Sequence, residues 1–319
     1  MRKSRIILLV LFISLSFALF KAMGEDGNHY LVDQTAVVKD SISNGKAVAL
    51  QPVVLTEGAA PELVSQPTFG DVSNDANNEQ GCGAGIGARF ALVRYLYGDT
   101  TVFAQGAENR WPIASITKLM TAIVASEQGM LEKNVAFTDA MTGAEGAAGG
   151  FKTGDVMTGA DVLKGMLLAS SNDAAEALAQ TYGRDQFIKL MNDKAKELRM
   201  LDTNYADPSG LSPQNQSTAN DLYKLMGYLY ETHPEILQIT RQRSGTVTVV
   251  NTKTKRKIAN IDSFAGQTNF IGGKTGYITE AEGNGNLVTL FTHNNQPFVI
   301  VVLGSPDRIG ETKKLLTCI

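Results

Sequence analysis

Ser115-Ile116-Thr117-Lys118 sets a hydroxyl and an amine three residues apart, which places both on one face of any helix that contains them. The chemistry open to such a pair is nucleophilic attack by the hydroxyl with the amine as its base. A serine alone is a poor nucleophile and needs a base. A lysine serves as that base when burial or a neighbouring cation keeps it neutral. If Ser115 opens the helix, its backbone N–H is one of the free donors of the first turn. Histidine is a poor alternative base here, because His29, His233 and His293 are scattered through the chain. There are 2 Cys and neither CxxC nor HExxH, so no dedicated zinc site is expected.

Two other short runs carry suitable chemistry. Ser170-Ser171-Asn172 falls at a break between two helical patterns, Val162, Leu163, Met166, Leu167 before it and Asp173 to Ala179 after it. Small polar residues at such a break usually cap helices, and that is its plain reading. Lys274-Thr275-Gly276 follows Gly272-Gly273 and precedes the strand-like Tyr277-Ile278-Thr279. Gly276 lets a strand edge approach a ligand closely, while Lys274 offers a cation for a carboxylate and Thr275 a hydroxyl. A second copy, Lys152-Thr153-Gly154, runs into Asp155 and a helix cap with no strand after it, and reads as a surface turn.

The elements that must position these residues fall in a definite order. Arg89 to Tyr97 and Thr100 to Ala104 read as strands around a Gly98-Asp99 turn. A helix follows Trp111-Pro112, with Ile116, Leu119, Met120, Ile123 and Val124 on one face and Gly129 ending it. Further helices are expected at Thr158 to Leu168, Asp173 to Thr181, Asp185 to Met200 and Ala219 to Tyr230. Asp207-Pro208-Ser209-Gly210 is a turn. Strands return at Thr246 to Val250, Tyr277 to Thr279, Leu287 to His293 and Phe298 to Leu303, with Asn294-Asn295 as a hairpin turn. Glu311 to Leu316 closes with a short helix. Strands, then helices, then strands predict an α+β domain whose antiparallel sheet joins both chain ends, with an inserted helical lobe.

The rest of the chain reads as an address and a tether. Arg2, Lys3 and Arg5 precede fifteen uncharged residues, Ile6 to Phe20. As a helix that run reaches about 22 Å, short of the ~30 Å hydrocarbon core. It is a secretory signal ending near Ala22-Met23-Gly24 or a retained N-terminal anchor, with Lys21 snorkelling; in both cases the remainder is exported. No Cys near residue 20 permits a lipoprotein anchor. Glu25 to Gly81 reads as a flexible spacer with a reach of roughly 40 Å, and residues 82 to 319 as one folded unit. The net charge of -3 argues against nucleic acid as a partner.

Taken together and in order, the three motifs resemble the S-x-x-K, Ser-x-Asn and K-T-G set of the serine β-lactamases and penicillin-binding proteins. Their flanks resemble the D-alanyl-D-alanine carboxypeptidases of peptidase family S11. The stretches that carry this are Pro112 to Ala122, Leu167 to Ala175, Asp207 to Leu211, Ser217 to Ala219 and Val302 to Ser305. The likeness covers about residues 84 to 316 and implies the β-lactamase/transpeptidase-like fold.

The resemblance implies a serine acyltransferase acting on D-Ala-D-Ala stem peptides of peptidoglycan, inhibited by β-lactams and needing no cofactor. Ser115 would be the nucleophile, Lys118 its base, and Ser170 the relay to the leaving D-Ala. Asn172 would hold the substrate amide, and Lys274 with Thr275 the terminal carboxylate, Lys274 also helping to keep Lys118 neutral. Backbone N–H groups of Ser115 and Tyr277 would form the oxyanion hole. The family's neighbouring first and last elements also make a Cys82–Cys318 bridge possible, the alternative being two free thiols.

Three departures are visible. Glu280-Ala281-Glu282-Gly283 stands where Ala directly followed by Gly is usual, and Glu282 bears on substrate preference. Ser171 stands where Gly is common. No β-rich second domain or amphipathic tail follows Ile319, so membrane contact is expected only through the N-terminal segment. The leading expectation is a D,D-carboxypeptidase, with a cross-link-cutting D,D-endopeptidase second. A class A β-lactamase comes third, since it needs a deacylating Glu in a separate loop and none is placed in this sequence, and a slow penicillin-binding or wall-binding module is opposed by the intact Ser115/Lys118 pair.

Overall fold

The computed structural model divides the chain into two units, residues 1–64 and 65–319. It describes residues 82–143, 145–146, 148–278 and 285–319. The N-terminal address, the spacer and the Glu280–Gly283 departure lie outside the described residues.

Both chain ends feed one five-stranded antiparallel sheet in the order β2-β1-β11-β10-β9. Its strands are β1 (Phe90–Tyr95), β2 (Thr101–Gln105), β9 (Phe270–Tyr277), β10 (Gly285–His293) and β11 (Gln296–Ser305). Phe90 pairs with Leu303 and Tyr95 with Phe298, so the first strand lies along the last. Asn294 and Asn295 make the β10–β11 hairpin, both with positive φ, the conformation a tight hairpin turn demands.

Period-two alternation splits the central strands between two cores. Val299, Val301 and Leu303 face the helical lobe. Phe298, Ile300 and Val302 face the other side, where Phe264, Phe270, Phe291 and Phe298 interlock edge-on and stacked. Each buried Phe contributes on the order of 1.5–3 kcal/mol.

The lobe between β2 and β9 carries α1 (Lys118–Glu127), α2 (Gly159–Ala169), α3 (Asn172–Tyr182), α4 (Arg184–Glu197), α5 (Ala219–Thr232) and α6 (Pro234–Thr240). Three two-stranded ladders lie within it: β3 (Trp111–Pro112) with β6 (Gln216–Ser217), β4 (Asn134–Ala136) with β5 (Val156–Thr158), and β7 (Ser244–Val249) with β8 (Thr254–Ala259). Thr158 caps α2 by accepting from Asp161 N, 3.2 Å away. Helix α7 (Arg308–Leu316) packs against the sheet, and Cys318 just after it is bonded to Cys82.

Three local differences from the sequence expectation have physical reasons. Lys274-Thr275-Gly276 lies inside β9, not ahead of a strand, and the strand stops at Tyr277. Three glycines weaken the strand signal of Phe270–Tyr277, yet tight packing requires them: a Cβ on Gly273 would sit 2.6 Å from Val288 O. Strand β8 (Thr-Lys-Arg-Lys-Ile-Ala) was hidden by its charge, since only Ile258 is buried along it. Helix α6 has just seven residues with Pro234 at its start, too short for a 3.6-residue period to show.

Candidate active site

Ser115 lies on a 3₁₀ turn, Ala114–Thr117, and Lys118 is the first residue of α1. The sequence placed both in one α-helical turn; the tighter 3₁₀ turn eclipses positions i and i+3. Lys118 Nζ is accordingly 2.8 Å from Ser115 Oγ. Ala114 is held at φ 48, unusual for a non-glycine residue. Gly210 packs on it so closely that a Cβ there would fall 2.0 Å from Ala114 O and 2.9 Å from Ser115 N. Asn286 ties the turn to the sheet by donating to Pro112 O at 3.0 Å and accepting from Gly304 N at 2.9 Å.

The Ser170-Ser171-Asn172 break divides its labour. Ser171 is the cap the plain reading expected, accepting from Ala174 N at 3.2 Å. Its neighbours turn elsewhere. Ser170 ends α2 in the left-handed region, φ 58 and ψ 36, and its Oγ accepts from Lys274 Nζ at 2.9 Å. Asn172 donates from Nδ2 to Glu145 O, which aims its Oδ1 at Lys118 Nζ, 2.7 Å away. Ser171 thus fixes the backbone from which both flanking side chains project.

Lys118 is completely buried. Its third neighbour is Ser209 O at 2.5 Å. The sequence identified the Asp207–Gly210 stretch as a turn but gave Ser209 no part in the site. Asp207 shapes that turn by accepting from Ser209 N (2.7 Å), Gly210 N (2.6 Å) and Ser212 N (2.6 Å). Asn215 braces it through Asp207 N and Thr117 Oγ1. An Asp followed two residues later by Ser is an Asx-turn signal, but nothing in the residue types shows where a carbonyl will point.

The three contacts fix what a neutral Lys118 can do. A neutral amine has two N–H donors and one lone pair. Asn172 Oδ1 and Ser209 O can only accept, so they take both N–H groups. The Ser115 hydroxyl is then the one neighbour able to donate to the lone pair. Burial holds Lys118 well below the ordinary lysine range, and the positive charge of Lys274 lowers it further against the opposing pull of Asp207.

Lys274 is also buried, donating to Thr275 O at 2.9 Å besides Ser170 Oγ. Burial pushes it down to about 7; Asp262 opposes this and Arg308 adds to it. Burial also raises the Asp262 carboxyl. Thr275 is buried beside Lys274, and a Cβ on Gly276 would fall 2.5 Å from Ile113 O. Tyr277 is exposed, with the Arg308 guanidinium 5.9 Å from its ring centre and Arg308 Nη1 donating to Gly276 O at 3.1 Å. Neither Asp262 nor Arg308 carried a sequence signal, since both approach from loop and helix segments distant in sequence.

The structure therefore joins Ser115, Lys118 and Asn172 in one contact set and Ser170, Lys274 and Thr275 in a second. His233 is engaged with Glu127 and Glu235. Among the described residues no three His, Cys, Asp or Glu side chains converge as a metal site would require. Lys152-Thr153-Gly154 is exposed, its backbone closed by Lys152 N donating to Asp155 Oδ2 at 2.9 Å. Lys152→Ala is expected to leave the rate of acylation by a fluorescent penicillin within about threefold of wild type, as surface changes are small. A larger loss would make the second K-T-G part of the machinery.

The D-alanyl-D-alanine carboxypeptidase family model, peptidase S11, matches residues 86–307. A D-alanyl-D-alanine endopeptidase of Escherichia coli K12 is 30% identical over 285 residues, covering 86% of this chain and 84% of the relative. The solved D-alanyl-D-alanine carboxypeptidase of Mycobacterium tuberculosis H37Rv superposes with a TM-score of 0.66 at 29% identity, over 75% of this chain and 90% of that one. Penicillin-binding protein D2 of Listeria monocytogenes, in its ampicillin-bound form, superposes with a TM-score of 0.64 at 26% identity, over 74% and 98%. With 222 consecutive residues matched, spanning all three motifs, the chain belongs to the D-alanyl-D-alanine carboxypeptidase family, peptidase S11.

Proposed function

We propose that this chain is a serine-type D,D-carboxypeptidase that removes the terminal D-Ala from D-Ala-D-Ala stem peptides of peptidoglycan through an acyl-enzyme. The observation that carries the reading is the environment of Lys118: a buried amine whose lone pair only the Ser115 hydroxyl can fill. Ser115 Oγ attacks the carbonyl of the penultimate D-Ala and gives its proton to Lys118. Ser170 relays a proton to the departing D-Ala nitrogen, and water then hydrolyses the Ser115 ester. Lys274 and Thr275 hold the substrate carboxylate and Asn172 its amide, while Gly276 and Tyr277 form the strand edge along which the peptide lies. The N–H groups of Ser115 and Tyr277 receive the oxyanion.

On this reading β-lactams acylate Ser115, and the work is done outside the cytoplasm, with residues 6–23 as signal or anchor and 25–81 as spacer. The endopeptidase reading uses the same residues, and the similarity to a relative of that name supports it. The test is digestion of purified muropeptides followed by mass spectrometry. Loss of one D-Ala from uncross-linked pentapeptides is expected. Cleavage of cross-linked dimers with pentapeptides left intact would replace the carboxypeptidase reading by the endopeptidase one.

A further inference from the structure

The β7–β8 hairpin has a charge pattern unlike the rest of the chain. From Arg241 to Ile261 there are six cations (Arg241, Arg243, Lys253, Lys255, Arg256, Lys257) and no carboxylate. The net charge of -3 leaves the remaining residues at -9. Arg256 is committed to a bidentate pair with Asp155 at 2.6 and 3.0 Å. The other five side chains are exposed, and none of them forms an ion pair among the described residues.

Packing orients the hairpin. Val247, Val249 and Ile258 are buried, leaving Thr246, Lys255 and Lys257 on the outer face, where Thr246 pairs with Lys257 and Thr248 with Lys255. Strand β7 runs antiparallel to α2. Thr248 N donates to Asp161 Oδ2 at 2.9 Å near the start of the helix, and Lys164 Nζ donates to Thr246 O at 3.2 Å. At the other end Ile261 N donates to Leu168 O at 3.1 Å, two residues before Ser170. The base of the hairpin therefore lies beside the end of α2 that carries Ser170, and the lysines follow from there toward the start of the helix. Lys257 and Lys255 stand about 7 Å apart on β8 and Lys253 follows in the turn, so the three span roughly 13 Å.

We propose that this face is a docking track for the carboxylate-bearing glycopeptide polymer whose stem peptide occupies the cleft. The inference rests on the peptidoglycan reading above. Two observations select this occupant. The base of the track is hydrogen-bonded to α2 two residues before Ser170, so a polymer whose stem peptide lies in the cleft has the track within reach. The track is also a basic stretch in a chain otherwise strongly negative, so a polyanion is repelled elsewhere and gathered here. Alternating Thr and Lys supply hydroxyl and ammonium donors, which suit sugar oxygens and carboxylates.

The test uses the full chain with Lys253→Gln, Lys255→Gln and Lys257→Gln combined, three exposed positions outside the catalytic set. Binding is measured by co-sedimentation with purified insoluble peptidoglycan, and separately with vesicles containing anionic phospholipid. Turnover is measured on the same peptidoglycan and on diacetyl-Lys-D-Ala-D-Ala. The variant is expected to bind peptidoglycan about tenfold more weakly at low salt, a gap that closes as salt shortens the Debye length below about 5 Å. Its kcat/KM on the short peptide should stay within about twofold.

Unchanged sedimentation overturns the proposal. So does a loss confined to vesicles, which would make the face a membrane contact. An equal fall on the short peptide also overturns it, because the effect would then act through α2 and Ser170. If the wild type turns over neither substrate, the carboxypeptidase reading fails, while the sedimentation comparison still decides the docking face.

Discussion

Ser115→Ala is expected to abolish covalent labelling by a fluorescent penicillin and to lower D-Ala release on the order of 10³-fold or more. The size follows from the site's construction. Lys118 has its N–H groups committed to Asn172 Oδ1 and Ser209 O. Without the Ser115 hydroxyl its lone pair has nothing to deprotonate, and residues that act as a unit lose nearly everything together. Mass spectrometry of the labelled peptide checks the assignment directly. An Ala variant that still carried the label would move the nucleophile elsewhere, and the roles proposed for Lys118 and Asn172 would go with it.

Lys274→Gln is expected to cost roughly 10–150-fold in kcat/KM, the range for a charged hydrogen bond of 1.5–3 kcal/mol, and to change the pH profile. On the proposed mechanism, activity in the wild type requires Lys118 neutral and Lys274 charged. The rate rises as Lys118 loses its proton and falls as Lys274 loses its own. With Lys274 pushed down to about 7, the falling limb of kcat/KM should lie near neutrality. The falling limb of kcat should lie higher, since a bound substrate carboxylate stabilises the ammonium.

In the Gln variant the falling limb should disappear. The rising limb should move to higher pH, because Lys118 loses a repelling neighbour and holds its proton longer. It should stay below the ordinary lysine range, since burial is the larger cause of the Lys118 shift. The measurement is a pH series on both proteins with diacetyl-Lys-D-Ala-D-Ala. A rising limb that does not move would mean that burial alone keeps Lys118 neutral, and the activating role of Lys274 would be dropped.

What could be read in the sequence follows from where each contact lives. Ser115 and Lys118 are legible because their contact is local, three residues along one turn. Ser170 and Asn172 are legible as residue types, but the left-handed backbone at Ser170 and the capping by Ser171 emerge only when α2 and α3 pack. Ser209 contributes a carbonyl, a group every residue possesses, so nothing in its identity marks it. Asp262 and Arg308 reach Lys274 across 12 and 34 residues of chain, through a fold that must exist before they meet. The sheet was legible at both ends because β1, β10 and β11 carry runs of apolar residues, whereas the glycines of β9 and the lysines of β8 carry the opposite signal.

The bond between Cys82 and Cys318, 236 residues apart with Cα atoms 5.2 Å from each other, makes the described domain topologically a ring. Loop closure of this size removes up to about 5 kcal/mol of unfolded-chain entropy, but the geometric consequence is separate. A single cut anywhere between the two cysteines opens the ring without dividing it, so a protease that nicks one surface loop leaves both pieces covalently joined. The groups proposed for catalysis, Ser115, Ser170 and Lys274, lie on three arcs of that ring, and no one cut sets them adrift from each other. On the exported reading proposed above, the integrity of this ring becomes a matter of redox chemistry as much as of folding.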